Sequence, residues 1–127
     1  MTSERSIYEQ IGGEETFLRL SRVFYEGVAN DPILRPLYPD SLDAPSERLG
    51  LFLSQFFGGP PMYSLSRGHP MLRARHLPFA IGQRERDAWF GHMSAALETI
   101  GIKEPALSEM RDYFDRAATF MINAGER

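Results

Sequence analysis

The sequence predicts an all-α fold, and three observations carry that expectation. Four segments repeat apolar residues at three- and four-residue steps, the spacing of one helix face. No stretch of useful length alternates with period two, and hairpin signals such as Asn-Gly are absent. Clusters of glycine and proline fall between the periodic segments, where connections belong.

Taken in order, residues 6 to 11 make a short helical turn closed by Gly12-Gly13. Residues 14 to 29 read as helix through Phe17, Leu20, Phe24 and Val28, and Asn30-Asp31-Pro32 ends the run. Tyr25 sits about 100° round from Phe24, at the border of that stripe. Residues 32 to 37 allow one more short turn before Tyr38-Pro39 forces extended backbone. Asp43, Pro45 and Glu47 mark a helix start, with Asp43 as cap candidate. That helix shows Leu49, Phe52, Leu53, Phe56 and Phe57 before Gly58-Gly59 stops it.

Residues 58 to 79 organise the rest. Gly58, Gly59, Pro60, Pro61, Gly68 and Pro70 exclude a long helix, leaving one helical turn from Met71 to His76 that Leu77-Pro78 stops. Residues 83 to 100 then present Trp89, Met93, Ala96, Leu97 and Ile100, and Gly101 ends that helix. Residues 104 to 123 present Leu107, Met110, Phe114, Ala117 and Met121.

A chain of 127 residues without repeat or linker is expected to form one domain, residues 1 to 127. A net charge of -3 with no Lys/Arg run argues against a nucleic-acid surface. With no cysteine, disulfides, thiolate catalysis, iron–sulfur clusters and covalent haem attachment are excluded. The opening residues are too polar for a signal peptide and no apolar run approaches a membrane span, so a soluble cytoplasmic protein is expected, as monomer or homodimer. The aromatic load, 12% of residues, suits either a core or walls around a flat apolar ligand.

His76 is the residue with the most distinctive setting. A lone histidine beside apolar residues is usually a hydrogen-bonded core imidazole. Here it stands on a helix too short to need it for packing, with Arg73 and Arg75 beside it to meet an anionic group. His69 reads as a loop hydrogen-bonding residue and His92 as partly exposed. No zinc, dinucleotide, P-loop or nucleophile-elbow motif is present.

In this region the chain resembles the truncated haemoglobins, specifically group II. The anchors are Phe24-Tyr25, Leu37-Tyr38-Pro39, Phe52 through Pro60, Tyr63, Arg67-Gly68-His69-Pro70, Arg73-x-Arg75-His76, Pro78-Phe79 and Asp87-Ala88-Trp89. The resemblance implies a two-over-two helical sandwich around a non-covalent b-type haem. It makes His76 the proximal iron ligand, its second ring nitrogen held by a backbone carbonyl. Arg48 and Arg75 become propionate partners, with Tyr63 as a hydroxyl donor. Tyr25, Tyr38 and Trp89 fall over the sixth iron position, where phenol and indole donors stabilise a polar diatomic ligand. Pro45, Leu49, Phe52, Phe79 and Met93 fall on the pocket walls. Proline at position 45 departs from the small residue usual in the family and adds bulk at the entrance.

Three functions follow from these residues. The first is a haem protein binding oxygen, nitric oxide or carbon monoxide reversibly, with high oxygen affinity. The second is a haem enzyme consuming nitric oxide or peroxide, which needs a separate reductase because no flavin or nicotinamide segment is present. The third is a haem-free helical module for a protein partner.

Overall fold

A computed structural model describes residues 5–124 of the chain. Seven α-helices follow one another: α1 (Ile7–Ile11), α2 (Glu14–Ala29), α3 (Asp43–Phe56), α4 (Met62–Arg67), α5 (Leu72–His76), α6 (Gln83–Thr99) and α7 (Ala106–Phe120). A 3-10 turn, Arg35–Leu37, lies between α2 and α3, and no strand occurs among the described residues. The all-α expectation holds.

The four long helices arise where apolar spacing placed them, with ends set by local chemistry. Ser6 and Glu9 close a capping box on α1, and Gly12 (φ 111°) ends it in a left-handed conformation that favours glycine. Glu14 and Glu15 occupy the first turn of α2, where negative charge meets the positive end of the helix dipole. Helix α3 corrects one expectation. Asp43 is inside the helix and provides no side-chain cap, because Leu42 is the capping residue. The Asp43 amide instead donates to the Ser41 hydroxyl (3.3 Å).

Helix α4 was not expected from the sequence. Its breakers stand at its ends: Pro61 precedes the first turn and Gly68, at φ 80°, follows the last. One of its unpaired first-turn amides, that of Ser64, donates to the Gln55 side-chain carbonyl of α3 (2.9 Å), and the Gln55 amide returns a bond to the Ser64 hydroxyl (2.9 Å). The cap is therefore supplied by another helix.

Helix α2 packs on α3 and on α6, and α6 packs on α7. Phe17, Leu20, Phe24 and Val28 of α2 are fully buried, meeting Leu53 of α3, Met93 and Leu97 of α6, and Met110 and Phe114 of α7. Each such side chain contributes about 1.5 to 3 kcal/mol of burial free energy. Gly50 lets α3 approach α2 closely, since a Cβ there would lie 2.7 Å from Leu18 Cδ2 and 3.1 Å from Leu18 Cα. Beside it the Ser21 hydroxyl donates to the Ser46 carbonyl (2.6 Å). The short helices α4 and α5 pack loosely by comparison, and α5 has no buried residue.

Candidate haem site

A cavity of about 490 Å³ opens between the long helices and the α4–α5 segment. That volume is within the roughly 300 to 1,000 Å³ of pockets for small molecules and cofactors. His76, Tyr25, Tyr38, Trp89, Pro45, Leu49, Phe52, Phe79, Arg48, Tyr63 and Arg75 all line it. The sequence therefore identified a set that the fold gathers around one space.

Met93 is the exception. It is fully buried in the core and is not among the residues lining the cavity. The stripe of α6 correctly marks Met93 as inward-facing, but the inward side of that helix also meets α2 and α7. Residues given no pocket role from sequence also line the cavity, including Arg67, Leu72, Ile81, Ala117 and Met121. Ala117 and Met121 continue the apolar stripe of α7, and Arg67 and Arg86 join Arg48 and Arg75 on the lining.

His76 ends α5. Its Nδ1 lies 2.6 Å from the Leu72 carbonyl one turn earlier, so Nδ1–H is the donor and Nε2 carries the free lone pair. The helix is tied down by side chains that bond backbone carbonyls. Arg75 donates from Nε to Pro70 (2.6 Å) and from Nη2 to Arg67 (3.2 Å) and His69 (3.3 Å), gathering the loop before α5. Arg73 donates to Phe120 and Ile122 (3.2 Å each), placing a cation at the negative end of α7. Asn123 donates from Nδ2 to the His76 carbonyl (3.2 Å) and accepts the Ile81 amide at Oδ1 (2.9 Å). The Asn123 amide in turn donates to the Ile81 carbonyl (2.8 Å). His69 behaves as expected for a loop residue, accepting the Met71 amide at Nδ1 (3.2 Å).

Tyr25, Tyr38 and Trp89 come from α2, from the residue after the 3-10 turn, and from α6. The Tyr25 and Tyr38 rings meet edge to face at 5.3 Å and 89°, and Phe24 packs against Tyr25 (4.9 Å) and Trp89 (5.2 Å). Burial pushes the Tyr25 phenol far up, reinforced by Tyr38. Burial also raises the Tyr38 phenol, against a smaller lowering by the Tyr25 and Trp89 donors that approach its oxygen. Both hydroxyls therefore keep their protons at physiological pH. Pro45 is buried in the first turn of α3, where its missing N–H leaves no bond unmade.

A globin model describing bacterial-like globins matches residues 6–123. Group 2 truncated hemoglobin YjbI of Bacillus subtilis is 40% identical over 119 residues, covering 94% of this chain and 89% of that protein. The crystal structure of a hemoglobin from Chloroflexus aurantiacus superposes with a TM-score of 0.92 at 57% identity, covering 94% of this chain and 99% of that one. The truncated oxygen-avid haemoglobin of Bacillus subtilis gives a TM-score of 0.89 at 39% identity, covering 94% and 100%. The chain belongs to the group II truncated haemoglobins. It is a haem globin that binds oxygen and related diatomic ligands. Among its described residues no helix is long and apolar enough to cross a membrane.

Proposed function

We propose that this globin holds a non-covalent b-type haem through His76 and binds oxygen tightly beneath a Tyr25/Tyr38/Trp89 cluster. The observation that carries this reading is the His76 ring: it lines a cofactor-sized cavity with Nδ1 committed to the Leu72 carbonyl, which leaves Nε2 as a neutral ligand of fixed direction. Absence of cysteine fits non-covalent retention. Haem held in this cavity would supply an iron centre able to bind a diatomic gas.

The chain's own residues have distinct tasks around it. Arg48, Arg67 and Arg75 line the cavity with positive charge for the propionates, and Tyr63 adds a hydroxyl. Leu49, Phe52, Phe79 and Pro45 keep bulk water away from the ligand side. Within the distal cluster the Tyr25 and Tyr38 rings meet edge to face, and Tyr25, Tyr38 and Trp89 all line the cavity. Each of the three side chains has an O–H or N–H that a ligand in the cavity could accept. Similarity to the oxygen-avid truncated haemoglobin of Bacillus subtilis supports tight binding here.

The test is spectroscopic. Purified protein titrated with hemin should develop a Soret band that saturates in proportion to protein, and the ferrous form should release oxygen slowly. A sample that cannot be loaded, or one whose oxygen dissociation is unchanged within about twofold by Tyr38→Phe, roughly 0.4 kcal/mol, defeats the haem or the distal part of this reading respectively.

A further inference from the structure

His92 plays no part in the cavity, yet its position ties together all three elements that carry the distal cluster. Its ring leans on α2 at Gly27, two residues beyond Tyr25: a Cβ at Gly27 would lie 2.5 Å from Nδ1, 3.1 Å from Cε1 and 3.2 Å from Cγ. Its Nε2 lies 2.6 Å from Asp31 Oδ2. The other oxygen of Asp31 accepts the Ile33 amide (2.8 Å), and the Asp31 carbonyl accepts the Arg35 amide (2.8 Å). Asp31 is thus the anchor of the connection that leads through the 3-10 turn to Tyr38. On its own helix His92 follows Trp89 by three residues, one turn along α6. One imidazole therefore contacts the helix of Tyr25, the connection to Tyr38 and the helix of Trp89.

Core packing fixes the distance between α2 and α6, while the 30–38 connection meets the core mostly through partly buried side chains, Ile33, Leu37 and Tyr38. That connection has a single fully buried apolar anchor, Leu34. The His92–Asp31 bond supplies a directional tie between it and α6. We infer that His92 is a positioning residue for the distal cluster: seated on Gly27 and bonded to Asp31, it sets Tyr38 against Tyr25 and Trp89. This inference rests on the haem-globin reading for its functional consequence, though the tie itself is a property of the protein fold.

The experiment compares His92→Leu, His92→Gln and Gly27→Ala with the parent protein. In the carbon monoxide complex of the ferrous holoprotein, His92→Leu and Gly27→Ala should shift or split the C–O stretching band. They should also speed oxygen dissociation about three- to tenfold, the scale expected when a catalytic or binding group is displaced by a fraction of an ångström. His92→Gln keeps an N–H donor at similar reach and should restore a single band and a rate within about twofold of the parent. Trp89 is the only tryptophan of the chain, so acrylamide quenching of its emission in the haem-free protein gives a second readout. Quenching should rise in His92→Leu and return toward the parent value in His92→Gln. A C–O band and oxygen rate unchanged in both His92→Leu and Gly27→Ala overturn the inference. If the parent takes up no haem, the globin reading fails, and the tie is judged on quenching alone: an unchanged value in His92→Leu overturns it. Should His92→Leu not fold, Gly27→Ala carries the same test by displacing the ring instead of removing it.

Discussion

His76 and Tyr38 line the same cavity, and the chain holds them by different means. His76 ends a five-residue helix with no buried member, fixed by hydrogen bonds from Arg73, Arg75 and Asn123 to backbone carbonyls. Tyr38 belongs to an aromatic cluster that includes the fully buried Phe24 and is wedged between two long helices. One side is secured by several directional bonds at a partly solvated edge, the other mainly by ring packing, with the single His92–Asp31 tie to set the Tyr38 connection. Bonds of the first kind contribute about 0.5 to 1.5 kcal/mol each, so that side is stiff only through their number. A packed ring carries several kcal/mol alone, and the cost of losing it falls on the whole fold.

The two sides should consequently fail differently. His76→Gly should abolish haem retention on desalting, with added imidazole restoring the Soret band. Retention without imidazole would move the iron ligand elsewhere. Phe24→Ala should destabilise the fold by about 3 to 5 kcal/mol, read from the urea midpoint, because a fully buried ring leaves a cavity that its neighbours only partly fill. A loss below 1 kcal/mol would deny that packing governs the distal side. Asn123→Ala removes two bonds at the proximal side and should cost about 1 to 2 kcal/mol while shifting the iron–histidine stretching frequency. Asn123→Asp keeps only the acceptor for Ile81, so it should reproduce the frequency shift with a smaller loss of stability.

The smallest effect concerns acid. The bond from His92, followed by the Ile33 amide, holds the Asp31 carboxyl below its usual range. A carboxyl depressed in the folded state adds stability above its unfolded pKa, about 3.9, and that stability drains away as pH falls through the folded value. Asp31→Asn should therefore melt below the parent protein at pH 6, with the gap narrowing as pH falls below about 3.9. A gap independent of pH would mean the charge on Asp31 is irrelevant to the tie.

How much of this is written locally in the chain follows the same division. Helices α2, α3, α6 and α7 announce themselves through apolar stripes, because each stripe is a property of neighbouring residues. The cavity residues were legible where a motif carried them, as with His76, Tyr25 and Trp89. Helix α4 was not, since Gln55 caps it from a different helix. Met93 is buried but not among the cavity-lining residues, since a stripe says that a side chain is buried without saying against what. Asn123 meets His76 across 47 residues and Asp31 meets His92 across 61, and no local pattern encodes either pairing.

The Asn123 bond to His76 also bears on how the protein is made. A ribosome delivers the chain in order, so the helix that carries His76 emerges well before the residue that pins its last carbonyl. Until residues 120 to 124 arrive, a nascent chain has neither the Asn123 clasp nor the carbonyls that Arg73 grips. The clasp on the helix of His76 is thereby completed only once residues 120 to 124 have joined it.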